Sequence, residues 1–406
     1  MKIKLTIVFA FIMHVYSIVE AKQILVTKST DNIDTPEEGM LRYSISNAKS
    51  NDTILFLVDS VSLEGELRIS YKSLTIDGGN GVILDGGQNS RIFNISFDSF
   101  TKITLRNLKI QNGYISATDF AWGGGLYAFG TGDGLVVDRC IFEENVAHTD
   151  VGDGQGGAVR AQGGVFTNCY FFNNKVTGTG NSNSGGGIMA TGGAKIINCV
   201  FAGNYAKYAG GISAISGTLI YNCTVTQNNS EISPGGIDVN SDAYTKVKNC
   251  IVYNNYAYNG TISNLGSGGS ANYFNCAFNE GNFMVGSNNN IALTENPFTQ
   301  NKGIDSLSLK ETAQCIDAGT IVNIDFLETD IVGSHRKSGA TIDIGAYEYY
   351  QKPNKWVITS SEDQVNPVEG MLRYALQNAV NADSIIFEVN TIFADTTFLI
   401  DNKSLI

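Results

Sequence analysis

Apolar residues recur in this chain at every second position, in short runs closed by turn residues. Leu74-Thr75-Ile76 and Val82-Ile83-Leu84 each run into Asp-Gly, while Ile103-Thr104-Leu105 and Leu108-Lys109-Ile110 run into Asn within two positions. Alternation of this kind predicts strands with one buried face. The Asp-Gly and Asn breaks predict tight turns between them. From residue 140 the pattern acquires a period. Cys-x-Phe/Val-x-x-Asn returns at Cys140, Cys169, Cys199, Cys223 and Cys250, at spacings of 29, 30, 24 and 27 residues. Asn168, Asn198, Asn222 and Asn249 precede the last four, and Asn275-Cys276 opens a slipped copy in which Asn282 arrives one place late. A Gly-Gly-apolar step lies upstream of each: Gly124-Gly125-Leu126, Gly156-Gly157-Ala158, Gly186-Gly187-Ile188, Gly210-Gly211-Ile212 and Gly235-Gly236-Ile237. In the three middle units the residue after Gly-Gly stands 11 positions before the cysteine.

A period of 24 to 30 residues fits three short strands and three bends per coil, at roughly 3.3 Å per strand residue. Cysteine and the Phe or Val two places on share the inward face. Ile141, Tyr170, Val200, Thr224 and Ile251 between them look outward. Both asparagines of the unit are expected at corners, where Asn tolerates the left-handed region and stacked amides bond along the ladder. The expected fold is all-β, a single-stranded, right-handed parallel β-helix over residues 53–312. An open stack needs covered ends. Residues 22–52 supply an N-terminal cap, in which Leu41, Ile45 and Ala48 lie on one face of a short helix.

Composition agrees with this: 16% charged residues, 45 Gly and 5 Pro suit short strands and turns better than solvated helices. A net charge of −12 argues against nucleic acid and anionic membranes as partners. It also weighs against a highly anionic polysaccharide unless calcium bridges the two; no cofactor is expected apart from such a bridging calcium. Lys2 and Lys4, an apolar run over 5–16 and Val19-Glu20-Ala21 read as a signal peptide cleaved after Ala21. The expected location is secreted or at the cell surface (outer membrane), with no transmembrane segment. Seven cysteines in an exported chain ordinarily mean disulfides. Here the odd count and the fixed phase favour reduced, inward-facing thiols, with pairing of neighbours left open.

These motifs resemble known families. The paired Phe-x-x-Asn and Gly-Gly-Ala/Ile elements resemble the repeats of chlamydial polymorphic outer-membrane proteins, which are adhesive β-helices. The wider layout is similar to exported bacterial β-helix proteins with a choice-of-anchor Q region. Gly39 to Ile45 matches their opening cap. Asp317-Ala318-Gly319, Asp330-Ile331-Val332-Gly333, Arg336 and Asp343-Ile344-Gly345-Ala346-Tyr347-Glu348 match their closing segment, here a C-terminal cap over 313–350. The resemblance implies an exported surface protein and attaches no single activity to it. The opening then recurs: residues 25–75 align with 356–406 at a constant offset of 331 without a gap, so 351–406 reads as the truncated start of a second unit. Alternatively, this second cap covers the far end of the first helix.

Chemistry is harder to find. No Asn-Thr-Asp, Gly-His-Gly or Arg-Ile-Lys motif of β-helix lyases and hydrolases occurs. Asp150, Asp153, Arg160 and His148 form the densest constellation, read as a solvated loop in preference to a site. Arg336 with Asp330 and Asp343 reads as an ion pair fixing the cap, and Gly78-Gly79-Asn80-Gly81 as a turn. Tyr205, Tyr208, Tyr253, Tyr256 and Tyr258 follow the repeat cores, where exposed Tyr suits sugar or protein contact. No catalytic or metal-binding residue is assigned, and binding residues and oligomeric state stay open. The functional expectation is a non-catalytic adhesion or glycan-contacting module for a polysaccharide or cell-surface glycoprotein. The alternative is a polysaccharide lyase or glycoside hydrolase on the same scaffold. Function is expected where the repeat breaks, at 113–122, 146–155, 176–185 and after Cys276.

Overall fold

The computed structural model describes residues 21–239, 243–266, 272–279, 288–299, 307–321, 328–336, 339–349, 355–364, 366–379, 384–394 and 396–398. The chain winds into a parallel β-solenoid of about 11 turns. Residues stack directly over their counterparts. One inward column runs Ile54, Ile76, Leu105, Val137, Phe166, Ile196, Ile220, Val247 and Tyr273, every member buried. A second, past the cysteine corner, runs Ile110, Phe142, Phe171, Phe201, Val225, Val252 and Phe278. Within it Phe142, Phe171 and Phe201 stack nearly face to face at 5.0 and 4.3 Å. Register in such a stack is stringent, because a slip of one residue turns every buried ring to solvent.

The Asn-Cys pair makes the corner. Asn168, Asn198, Asn222, Asn249 and Asn275 all adopt positive φ, as does Arg139 where the asparagine is replaced. The bend turns each cysteine inward, and the sulfurs of Cys199, Cys223 and Cys250 accept the backbone N–H of the preceding coil's cysteine, Cys169, Cys199 and Cys223 in turn, each at 3.4 Å. All seven thiols are free and buried. Burial pushes the Cys140 and Cys169 thiols well above their ordinary range.

The second asparagine forms the expected ladder of stacked amides but is not itself the left-handed residue. The left-handed residue at that corner is the one before it: Glu144, Asn173, Gly203, Gln227 and Asn254. The asparagine itself points inward and joins a chain of amides, Asn145 to Asn174 to Asn204 to Asn228 to Asn255, each Nδ2 donating to the next Oδ1 at 2.8–2.9 Å. That same Oδ1 also accepts the backbone N–H of the preceding asparagine at 3.0–3.1 Å. Every polar group of these buried amides is thereby used, which removes the desolvation penalty.

Two further sheets complete the coil. A seven-stranded face contains Leu67–Ser70, Phe93–Ser96, Leu126–Phe129, Val159–Gln162, Ile188–Thr191, Ile212–Ala214 and Ile237–Asp238. Its register aligns Val159, not Ala158, with Leu126 and Ile188, so the Gly156-Gly157-Ala158 unit sits one place out of the expected phase. The shared column is Gly124, Gly157 and Gly186, where a Cβ would stand 2.4–2.6 Å from a backbone oxygen of the next coil. A five-stranded face carries Tyr114–Ser116, Val146–His148, Lys175–Thr177, Tyr205–Ala206 and Asn229–Ser230, and Phe120–Trp122 pairs with Asp153–Gln155 beside it. The stretches expected to be excursions at 113–122 and 146–155 are therefore largely strands. They alternate too weakly, over too few residues, to announce themselves.

At the N-terminal end, strand Gln23–Val26 lies parallel on Asp52–Phe56, and helix Leu41–Asn47 buries Leu41 and Ile45 as expected, with Ala48 just after its end. Arg42 binds the Asp31 carboxylate and the carbonyls of Gly65 and Glu66, pinning the helix to the first coil. The described residues between 355 and 394 repeat these contacts. Thr359 and Ser360 donate to Gly370 O as Thr27 and Lys28 do to Gly39 O, and Arg373 pairs with Asp363. The copies match at offset 332 up to Asp31 and Asp363 and at 331 from Pro36 and Pro367 onward, so a one-residue gap separates them. The ungapped alignment is corrected on that point. Residues 1–20, holding most of the expected signal peptide, lie outside the described residues.

The closing segment lies along the flank of the last coils. Ile331, Ile344, Ala346 and Tyr347 form a second apolar core with the outward residues Val200, Ile251 and Ala277. Gly345 N–H donates to Asn249 O (2.8 Å) and Ala346 N–H to Thr224 Oγ1 (3.0 Å). Asn249 also exchanges two bonds with Thr320, and Arg336 reaches Asn198. The corner asparagines thus serve the segment as well as the turn. Gly345 has φ +108°, and a Cβ there would lie 2.7 Å from Ile251 Cδ1, so only glycine fits without displacement.

Candidate functional site

On the seven-stranded face, and on the strand Phe120–Trp122 that precedes it in the same coil, inward and outward positions alternate, and small or aliphatic residues fill the inside. Ala121, Leu126 and Ala128 are fully buried. Their neighbours Phe120, Trp122, Tyr127 and Phe129 must therefore point out. The four rings form one continuous row within a single coil, with successive centroids 5.0, 5.6 and 6.4 Å apart and planes tilted by 37° to 48°. Phe120 is 58% and Phe129 45% exposed, while Trp122 and Tyr127 are half-buried. The Trp122 indole N–H is enclosed without an acceptor. A solvent-facing aromatic row of this length is costly to leave in water, which makes it the candidate contact surface.

Polar groups border the row on both sides. In the preceding coil, Arg91 lies 5.4 Å from the Tyr127 ring centroid and forms an ion pair with Glu66, whose other oxygen accepts Asn94 Nδ2 (3.1 Å). In the following coil, Arg160 lies 5.6 Å from the Trp122 ring and donates Nε–H to Gln155 Oε1 (2.8 Å). Asp153 stands in register with Phe120 and Gln162 with Phe129. Burial lowers the Arg160 pKa and raises that of Tyr127. Toward the cap the same face leads to an open cavity of about 420 Å³, lined by Ile33, Pro36, Ile45, Leu67 and Arg68 among others.

The residues singled out by sequence scatter. His148 pairs with Asp150 at 3.4 Å and holds Thr177 Oγ1 at 2.9 Å on the five-stranded face, while Arg160 turns to the aromatic row. They do not form one constellation. Arg336 does fix the closing segment, but its ionic partner is Glu348 (2.7 Å). Asp330 and Asp343 are spent on backbone N–H groups. The tyrosines also separate: Tyr205 donates to Glu231 (2.6 Å), its phenol raised to about 12 by burial and that carboxylate, and Tyr253 packs edge-on against Phe298. The slipped unit after Cys276 falls partly outside the described residues. Among the described residues no three His, Cys, Asp or Glu side chains gather to hold a metal ion.

The ring row does not stand out as a unit in the sequence. Two signals for it exist: Leu126-Tyr127-Ala128-Phe129 alternates large rings with small or aliphatic residues, and Trp122 is one of only two tryptophans. The fold defines the class, a parallel β-solenoid with a strapped flank and an aromatic face. No family model, curated protein or solved structure matches the chain. No helix among the described residues is long and apolar enough to cross a membrane.

Proposed function

We propose that this is an exported, surface-displayed, non-catalytic β-helix that contacts glycan through the row Phe120–Trp122–Tyr127–Phe129. The row carries the reading: four outward rings in one coil offer faces to the C–H groups of pyranose rings, and Arg, Asn and Gln beside them can bond hydroxyls. The apolar N-terminal run and the resemblance to choice-of-anchor Q proteins support export. The test is retention of the mature protein on a panel of immobilised polysaccharides, with Trp122→Ala as the comparison. Retention lost in that variant, with no new reducing or unsaturated ends in solution, is the expected result. Release of such ends would replace this reading with a lyase or hydrolase, and retention unaffected by Trp122→Ala would move the contact elsewhere.

A further inference from the structure

Charge is distributed unevenly across the ring row. The chain has eight arginines. Seven are ion-paired with an Asp or Glu side chain. Arg160 is the eighth, and among the described residues no carboxylate lies within 4.0 Å of it. In a chain with 39 acidic and 27 basic side chains, a half-buried guanidinium left without a counter-ion stands against the pattern of the whole molecule.

Its position is nonetheless held. Nε donates to Gln155 Oε1 and Nη1 to Ala161 O, both at 2.8 Å, and the group sits 5.6 Å from the Trp122 ring. Nη2 and the second Nη1 proton are left for a planar acceptor, the arrangement that suits a carboxylate. Across the row, Arg91 holds the matching place over Tyr127, but Glu66 neutralises it. On one border, then, the arginine is tied to a carboxylate that it shares with Arg68, while on the other Arg160 has no carboxylate within 4.0 Å among the described residues, Asp153 lying beside Phe120.

We propose that Arg160 binds a carboxylate of the glycan lying on the ring row, and that this glycan is mostly neutral, with isolated uronic acid units. The inference rests on the glycan reading above. The rings take the neutral sugars and Arg160 one acid. A densely charged polyuronate is disfavoured by the net charge of −12 and by Asp153 beside Phe120.

The experiment uses the mature chain carrying Trp356→Phe, which leaves Trp122 as the only tryptophan and its fluorescence as the readout. Probes are matched oligosaccharides with and without one glucuronate branch, on xylose, glucose and mannose backbones, together with polygalacturonate and dextran sulfate. At least one glucuronate-bearing probe should bind about tenfold tighter than its neutral match, the scale of one charge-assisted hydrogen-bonded contact. Arg160→Gln should erase that difference, with its folding checked separately by far-ultraviolet circular dichroism, and Arg160→Lys should restore part of it. If every pair binds alike, or the preference survives Arg160→Gln, the Arg160 assignment fails and the glycan reading stands. Tighter binding of polygalacturonate or dextran sulfate than of any branched probe overturns the isolated-acid inference. No response to any probe, with retention on the panel unaffected by Trp122→Ala, overturns the glycan reading itself.

Discussion

Asn204 sits in the middle of the buried amide chain, fully enclosed. Its Oδ1 accepts the backbone N–H and the Nδ2–H of Asn174 at 3.0 and 2.9 Å. Its Nδ2 donates to Phe171 O and Asn228 Oδ1 at 2.9 and 2.8 Å. Replacing it with alanine deprives the Asn174 backbone N–H of its acceptor and removes one of the two partners of Asn174 Nδ2. Phe171 O and Asn228 Oδ1 each lose a donor. A buried polar group without a partner costs about 1–3 kcal/mol, and the emptied volume adds to that. A water entering the polar gap would return part of the loss. Together these place Asn204→Ala at about 3–4 kcal/mol of destabilisation. Asn229→Ala, one position on and exposed, should stay within about 0.5 kcal/mol. Urea unfolding followed by far-ultraviolet circular dichroism measures the total. Because a solenoid can open locally, hydrogen exchange at the Asn174 amide reads the rung itself. A loss under about 1 kcal/mol with unchanged exchange at Asn174 would refute the view that the amides hold the coils together.

Three further outcomes follow from the flank and the corners. Gly345→Ala should loosen the closing segment, seen as faster proteolysis within 313–349 while the coil strands keep their exchange protection. Glu348, buried and next to Asp343, is pushed up to about 8 by burial against the pull of Arg336, from an ordinary value of 4.5. A raised acid pKa means that the folded state takes up a proton between 4.5 and 8, so stability of the segment falls as pH rises through that window and levels above it. Glu348→Gln should flatten that slope, as read by melting temperature at stepped pH. Finally, the seven buried thiols should not react with a thiol reagent in the native state and should all react after unfolding. Prompt native reaction at Cys169 or Cys199 would contradict the ladder packing.

The repeat cores were legible because one physical constraint acts on every coil. Cysteine at the inward corner, Phe or Val two places on and glycine at the close approach each follow from parallel stacking, so their spacing shows in the sequence. The two asparagines were harder to separate. Both are polar and both sit near bends, yet one supplies positive φ and the other a buried amide, a distinction set by the residue before it (Glu144 and Gln227 adopt the left-handed region as readily as Asn173). The closing segment's docking was not legible, since Val200, Thr224 and Ile251 look like ordinary outward strand positions. The ring row escaped for a related reason: its four members come from two short strands separated by the glycine turn at Gly123 to Gly125. Asn47 and Asn378, each closing a copy of the short helix, show that the second start was legible in sequence, while the one-residue gap emerged from the matching backbone bonds and strand pairing of the two copies.

The amide chain has a direction. From amide to amide the donation always runs toward the later coil, the second Nδ2 proton of each rung from Asn145 to Asn255 going back to a carbonyl of the earlier coil; the row begins where Gly113 N–H meets Asn145 Oδ1 and passes through Asn255 to Asn264 and Asn279. There it doubles back, with Asn279 Nδ2 donating to Asn254 Oδ1 (2.6 Å) while Asn254 N–H donates to Asn279 Oδ1 (3.0 Å). Aligned dipoles polarise one another, so the interior rungs gain most and the two ends least. The row therefore has a head and a tail. A coil grafted into the middle inherits a ready donor and a ready acceptor if it brings one asparagine in phase, whereas a coil added at the tail must first break the closing loop at Asn279.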